Sequence, residues 1–431
     1  MDRATKKQLL KACKLDEPVP PADPRHFDFD HPNQLRGQPW RERAAEVIDL
    51  ASEPTTQIVT GLPGSGKSTE LEQLRQDLNG KDFRVVLADA GAWIRDDAPI
   101  THQDVLLALV LALYPEGNPD ESKGWLRAYA KRASELLFSE VQVGIDAKVG
   151  PLTIKSELTT NSTLLQQAAH RFTELRDLRD KVFDLLGRAA TEADKAGEPL
   201  VIILDGIEKR ATGDLSGPEE REKYRNHWFG AFLTHARELR PPVHVVYTVP
   251  PFMIRRASEI AAQFGVELEF LPMIRVFGHD AEINPAGVRG LVDALHLRVD
   301  ASLFEDPAIA RWLALRSGGY FRDLLRFVTE MTYQVEDAPK FTRAHAEAAV
   351  QKIGQSYREG LVLEEQEVLR SLRPSRRFPE QERLLTRIDA LLQGFKMFRY
   401  HNSTPWYDAH PLLWHDLGFD EASWAEVERL S

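Results

Sequence analysis

The stretch Gly61-Leu62-Pro63-Gly64-Ser65-Gly66-Lys67-Ser68 decides the fold. It satisfies G-x-x-x-x-G-K-[ST] in full. It also follows the short apolar run Gln57–Thr60 directly and opens a segment that reads as a helix to about Leu78, the context this motif requires. Gly61, Gly64 and Gly66 let the backbone curl, so that successive N–H groups point into one concavity able to cradle a β-phosphate. The positive end of the helix dipole points at the same spot. Lys67 is predicted to reach β- and γ-oxygens, and Ser68 to offer a hydroxyl to Mg²⁺. Pro63, Ser65 and Thr69 complete the expected nucleotide-binding set.

Working outward, four more short apolar runs read as strands: Phe83–Ala88, Leu200–Asp205, Val243–Val249 and Val266–Leu271. Helical segments separate them, which predicts an α/β fold with a parallel sheet covered on both faces. The run Leu200–Asp205 ends in a carboxylate placed to hold Mg²⁺. A carboxylate that polarises an attacking water often follows such an aspartate at once. Here that position is Gly206, so Glu208 is the candidate general base, against the alternative of a cap or surface charge. Thr248 ends a strand and offers a hydroxyl near a γ-phosphate, while Ser317-Gly-Gly-Tyr-Phe-Arg322 opens a later helix from which Arg322 reaches back to phosphates.

The composition sets bounds on all this. In 431 residues there are 55 Lys+Arg against 66 Asp+Glu, a formal charge of −11, with 42% hydrophobic and 28% charged residues. At roughly 100–200 residues per domain this length suggests two to four compact units with a real core. No apolar run nears the ~20 residues that cross a bilayer. The start, MDRATKKQLLKACKLDEP, lacks the apolar region of a secretory signal, so a cytoplasmic protein without membrane contact is expected. A single cysteine, Cys13, excludes an internal disulfide framework. The acidic balance argues against broad nucleic-acid coating.

Residues 1–35 read as a leader, because Pro18, Pro20, Pro21, Pro24 and Pro32 deny it a long helix. Phe27 and Phe29 can still pin it to a surface. The run 93–199 is too long for an ordinary crossover and reads as an insertion. In it we expect helices near 101–113 and 123–138. A β-hairpin should follow, with alternation at Val141–Val149 and again at Leu152, Ile154, Ser156 and Leu158. Last comes one helix of about 35 residues carrying Leu165 through Ala193. The insertion is either a structural subdomain or a partner-docking surface. Four helices are expected between about 285 and 354, then two near 363–373 and 379–393, then a hairpin with strands Met397–Tyr400 and Trp406–Ala409 turning at Asn402-Ser403.

The order of Gly61–Ser68, Asp205, Thr248 and Gly318-Gly319-x-x-Arg322 resembles a P-loop ATPase of the AAA+ superfamily. It is most similar to the origin-recognition-like and STAND branches, where a winged-helix domain commonly follows a helical lid. Gly37-Gln-Pro-Trp-Arg41-x-Arg43 resembles the short motif that helps form that family's adenine pocket. The resemblance implies a core at 36–284 with the 93–199 insertion, a helical lid at 285–357 and a winged-helix-like domain at 358–431. It makes Lys67 and Ser68 ligands of phosphate and Mg²⁺, Asp205 the Walker B acid, Thr248 sensor 1 and Arg322 sensor 2. Asp205-Gly-x-Glu208 resembles the STAND form rather than the Asp-Glu pair of processive motors, which implies slow turnover. The expected arginine finger is missing from Ala261–Phe264. Arg237, Arg240, Arg255 and Arg256 stand nearby.

Two functions follow. In the first, ATP and Mg²⁺ binding drive a slowly hydrolysing switch that controls homo-oligomer assembly or a protein effector; by analogy of fold this implies a role in bacterial regulation or phage defence. The alternative is a DNA-binding loader or initiator. It would use the arginine cluster Arg370, Arg373, Arg376, Arg377, Arg383 and Arg387 on phosphate backbone, although the acidic, Trp-rich residues that follow suggest packing or a protein interface. A small-molecule kinase fits less well, since no separate acceptor site is apparent. His401, His410 and His415 lack metal-ligand spacing, and His410 reads as a turn cap.

Overall fold

A computed structural model describes all residues except 16–18, 33, 38, 95–98, 115–123, 138–153, 211–217, 336–337, 380–381 and 431. From the N-terminus the chain forms α1 (Arg3–Ala12), α2 (Trp40–Asp49), β1 (Thr56–Gly61), α3 (Lys67–Asn79) and β2 (Arg84–Asp89). Next come α4 (His102–Ala112), α5 (Trp125–Glu135), α6 (Ile154–Thr160), α7 (Ser162–Thr173) and α8 (Leu178–Lys195). The core resumes with β3 (Leu200–Asp205), α9 (Ile207–Arg210), α10 (Pro218–Phe229), β4 (His244–Thr248), α11 (Ala257–Phe264) and β5 (Leu268–Leu271). The remainder comprises α12 (Pro285–His296), α13 (Pro307–Arg316), α14 (Phe321–Gln334), α15 (Arg343–Arg358), α16 (Leu363–Ser375), α17 (Glu382–Gln393), β6 (Met397–Asn402), β7 (Thr404–Ala409) and two short terminal helices.

The chain divides into two compact units. One holds 41–60 and 70–269 and is built on the five-stranded sheet, in the order β2-β3-β4-β1-β5. The pairings β2–β3, β3–β4 and β1–β4 are all parallel. The β1 and β3 runs are buried throughout, as expected of strands covered on both faces. Against β3 and β2 lies α4, held by a Thr101–Asp104 capping box and buried on every side from Asp104 to Ala112. That all-round burial makes it a core helix rather than a surface one.

The insertion departs from expectation. Ile154–Thr160 is a helix, not the second strand of a hairpin; the first predicted strand, Val141–Val149, lies outside the described residues. Ile154 and Leu158 stand four apart, a spacing that serves a helix as well as a strand, and Leu158 is fully buried. The expected 35-residue helix is two helices, α7 and α8. They are separated where Asp177 takes a left-handed backbone (φ 56°), one of the few residue types that enters that region readily. Apolar spacing continued across the break because both helices bury a face in the same core.

The second unit holds 1–40, 61–69 and 270–431. Its helices α12 to α15 form the expected bundle. The leader carries a short helix ahead of its prolines. Helix α1 ends before the first of them and packs on α14, with the Met1 amino group donating to Ala338 O (2.7 Å) and Lys6 Nζ to Val335 O. The C-terminal hairpin forms as expected, antiparallel, with Asn402 opposite Thr404 and Ser403 at φ 60°.

Candidate functional site

The phosphate loop belongs to the second unit. Gly64 has φ +72°, a conformation that a side chain resists. A Cβ there would also fall 2.7 Å from Tyr320 Oη and 3.0 Å from Arg322 Cδ, so the loop's apex is covered by the start of α14. Tyr320 Oη donates to Pro63 O at 2.9 Å. Lys67 is buried, with Nζ donating to Gly61 O (3.0 Å) and Leu62 O (3.3 Å), the carbonyls of its own loop. Arg322, the expected sensor 2, thus lies against the loop, while its guanidinium donates to Leu15 O at 3.1 Å.

Sequence reasoning missed Arg36. It is buried, ion-paired with buried Asp30 (3.2 Å), stacked over Phe29 at 5.2 Å, and donates to Ser65 O of the loop at 3.2 Å. Its position beside Gly37, at the edge of the adenine-pocket-like motif, is the signal that pointed there. Of that motif's other arginines, Arg41 is a buried partner of Glu70 (3.2 Å) and Asp77 (2.9 Å), so it anchors α2 to α3.

The start of α14 is also held from the C-terminal side. Tyr400 Oη donates to Gly318 O at 2.6 Å, and the Tyr320 ring stacks on Phe395 at 5.5 Å. Asp323, with no exposure, joins His410 Nε2 (3.0 Å), Tyr357 Oη (2.8 Å) and Arg326 (2.7 Å). Burial works against its carboxylate, yet these donors hold its pKa below the ordinary range. His410 caps the turn at Leu412, as expected, by accepting its N–H at Nδ1, which leaves Nε2–H to donate to Asp323. Burial pushes the His410 pKa down despite the carboxylate.

In the sheet unit, Asp205 and Thr248 end β3 and β4 at the carboxyl edge of the sheet, the edge from which β1 leaves for the loop. Thr248 Oγ1 donates to Glu208 Oε2 at 2.6 Å and lies 3.3 Å from Leu204 O, and it accepts from Ile207 N–H at 3.3 Å. Glu208 is buried, not a surface charge. Beside it, Lys209 Nζ lies 3.6 Å from Asp205 Oδ2 and 3.4 Å from Asp89 Oδ2. Burial opposes the ammonium, but Asp205, Asp89 and Glu208 keep its pKa above the usual value. Its signal in the sequence was the four-residue spacing from Asp205.

A carboxylate at Asp205 and a hydroxyl at Ser68 are the hard-oxygen donors that Mg²⁺ takes, so these residue types fit the metal. Among the described residues, no three His, Cys, Asp or Glu side chains gather as a metal cage.

Two arginines of the expected nucleic-acid strip are not available to phosphate. Arg376 is buried, paired with buried Asp408 and donating to His279 O at 2.9 Å. Arg373 lies 3.8 Å over the Trp414 ring and 5.0 Å from Phe419, and burial lowers its pKa. Aromatic and acidic neighbours distant in sequence draw both inward. Arg370 and Arg377 remain exposed, the former donating to Gln366 Oε1. Of the arginine-finger candidates, Arg237 is exposed, Arg240 donates to Gln263 O and Arg256 pairs with Glu259.

Residues 38–214 match the KAP family P-loop domain. No curated protein matches the chain. Among solved structures it is similar to the Walker-type ATPase of Pyrococcus abyssi, at 14% identity and TM-score 0.46, over 95% of this chain and 100% of that one. It is also similar to the ORC2 protein of Aeropyrum pernix in its ADPNP–ADP complexes, at 13% identity and TM-score 0.41, over 97% of each chain. A third likeness is to Cdc6p of Pyrobaculum aerophilum, at 12% identity and TM-score 0.36, over 98% of this chain and 97% of that one. No helix among the described residues is long and apolar enough to cross a membrane. Phosphate loop, parallel sheet and family match agree on a P-loop α/β fold: residues 38–214 are similar to the KAP family P-loop domain.

Proposed function

We propose that this chain is an ATP-dependent, slowly hydrolysing molecular switch of STAND-like type, cytoplasmic, whose nucleotide state controls self-assembly or engagement of a protein effector. The observation that carries the reading is the double grip on residues 318–323. Tyr320 and Arg322 meet the phosphate loop at Pro63 and Gly64, while Gly318, Tyr320 and Asp323 are held by Tyr400, Phe395 and His410 of the C-terminal segment. A change in the loop on binding phosphate therefore has a short mechanical path to a domain that carries no chemistry of its own. Packed interfaces of this kind move between discrete arrangements rather than deforming smoothly.

In this reading Gly61, Pro63, Gly64, Ser65, Gly66, Lys67, Ser68 and Thr69 bind the phosphates, and Ser68 and Asp205 hold Mg²⁺. Arg322 reports the γ-phosphate to the lid at 285–357, and 358–431 acts as a winged-helix-like output domain. When bound, Mg²⁺ neutralises charge on the β- and γ-phosphates. Glu208 takes a proton from the attacking water, and the Thr248 hydroxyl holds Glu208 in position. Gly206, standing where a second carboxylate would sharpen hydrolysis, supports slow turnover.

The test is size-exclusion chromatography with light scattering on apo, ADP-bound and non-hydrolysable-ATP-bound protein, beside Lys67→Ala. A nucleotide-dependent change in size or shape, lost in Lys67→Ala together with roughly 100-fold of ATP affinity, is expected. Identical behaviour in all three states, or undiminished affinity in the variant, would rule the switch out. The alternative, a DNA-binding loader, predicts a salt-sensitive duplex complex. Among the described side chains of its proposed cluster it keeps Arg370, Arg377 and half-buried Arg387, since Arg373 and Arg376 are occupied.

A further inference from the structure

Asp205 carries a resident cation. The Lys209 ammonium sits between Asp205 and Asp89, 3.6 Å and 3.4 Å from their oxygens. Asp89 and Asp205 end neighbouring strands in direct register, so the two carboxylates face one edge of the sheet side by side. Helix α9 starts at Ile207, and its first turn returns Lys209 over the strand end four residues after Asp205. Gly206, between the end of β3 and the start of α9, has no side chain. A Cβ on Gly206 would fall 2.9 Å from Lys209 Nζ and 2.4 Å from Asp89 Oδ1. The space a carboxylate at 206 would use is therefore taken by a lysine and the acid that helps hold it.

We infer that Lys209 is a positioning residue that acts as the built-in counter-cation of Asp205, competing with Mg²⁺ for that carboxylate. The physical reason is elementary. Two aspartates at adjacent strand ends would repel without a cation between them, and a fixed ammonium at this distance relieves that repulsion. A divalent ion arriving at the same carboxylate meets the ammonium's charge and must displace it. Lys209 is half exposed, and its flexible stem lets the ammonium swing toward Asp89 or into solvent when the metal arrives. The consequence is a raised Mg²⁺ requirement for nucleotide binding, which makes occupancy of the switch sensitive to free Mg²⁺ as well as to nucleotide. This inference rests on the nucleotide-site reading above and assigns a role to a residue that reading does not use.

The experiment measures binding of a fluorescent ADP analogue by the full chain across a Mg²⁺ titration, in wild type, Lys209→Met and Lys209→Arg, with affinity in EDTA as the reference. Lys209→Met keeps the apolar stem and removes the charge. It is expected to lower the Mg²⁺ concentration for half-maximal binding by about tenfold, with no gain of affinity in EDTA, while Lys209→Arg stays near wild type. A lysine with a merely structural role would instead weaken binding with and without metal alike. An unchanged or raised Mg²⁺ midpoint in Lys209→Met, with nucleotide binding intact, overturns the inference alone. Failure of wild type to bind the analogue at any Mg²⁺ concentration overturns the nucleotide-site reading and this inference with it.

Discussion

The Thr248 hydroxyl donates to the Glu208 carboxylate at 2.6 Å, across 40 residues of sequence. Each residue alone was an ordinary strand-end threonine or a glutamate near an aspartate. Together they form a buried, charge-assisted hydrogen bond at the carboxyl edge of the sheet, which fixes one oxygen of Glu208. A general base needs such orientation before its basicity matters.

Glu208→Gln is expected to reduce ATP hydrolysis by roughly 10²–10⁴-fold, the usual contribution of a general base. Nucleotide affinity should stay within about threefold, since the role proposed for the glutamate lies with water and not with the ground-state nucleotide. Steady-state phosphate release together with equilibrium binding checks both halves. Hydrolysis at wild-type rate in the variant would remove Glu208 from the mechanism.

Thr248→Val keeps the strand's shape and removes the donor. Glu208 then loses its orienting hydroxyl, and hydrolysis should fall by about tenfold, less than in Glu208→Gln, again with binding preserved. In the double variant the two losses should not add, because both act through one carboxylate.

Tyr320→Phe deletes the single hydrogen bond to Pro63 and keeps the ring stacked on Phe395. A stability cost of about 1 kcal/mol is expected from denaturant unfolding. The informative readout is limited proteolysis of residues beyond 358 with and without nucleotide. Protection that depends on nucleotide in wild type should weaken in the variant if the grip on 318–323 carries the signal.

Arg376 and Arg377 are neighbours with opposite fates. Arg376→Ala strands buried Asp408, whose pKa burial already raises, and is expected to cost about 3–5 kcal/mol. Arg377→Ala, at an exposed position, should stay within about 0.5 kcal/mol. Chemical denaturation separates them. Any loss of duplex binding in Arg376→Ala must be judged against that instability, so Arg370→Ala with Arg377→Ala is the cleaner test of DNA contact.

His410 introduces a pH dependence with a definite sign. Its folded pKa is depressed by burial, against Asp323, which pulls it upward; Arg316 and Arg326 add to the depression and Tyr357 packs on the ring. The unfolded chain therefore takes the proton first. This contribution to stability is complete above the unfolded value of about 6.5 and is lost as pH falls from there toward the folded pKa. One such group changes stability by at most about 1.4 kcal/mol per pH unit. His410→Gln should be less stable at neutral pH yet lose less on acidification, as measured by urea unfolding from pH 7.5 to 5.

The limits of reading the chain in one dimension show at particular residues. The phosphate loop and the five core strands were legible because each is specified by residues adjacent in sequence: glycines in a turn, or a short apolar run between breaks. Helix α6 was misread because two apolar residues four apart suit either period, and the broken helix α7–α8 was misread because both pieces bury one continuous face. Arg373 and Arg376 looked like a phosphate-binding strip, since nothing local distinguishes them from exposed Arg370 and Arg377.

By itself, then, the sequence determined that residues 57–68 form a strand and phosphate loop, that Asp205 ends a buried strand, and that an α/β core precedes a helical bundle. Only the tertiary structure decided that Thr248 meets Glu208, that Lys209 stands between Asp205 and Asp89, and that Asp323 is joined to His410 across 87 residues. The physical reason is one of range. Backbone conformation follows from neighbours along the chain, whereas the partner of a buried charge is whichever group the fold carries to it, and an unpaired one is too costly to leave.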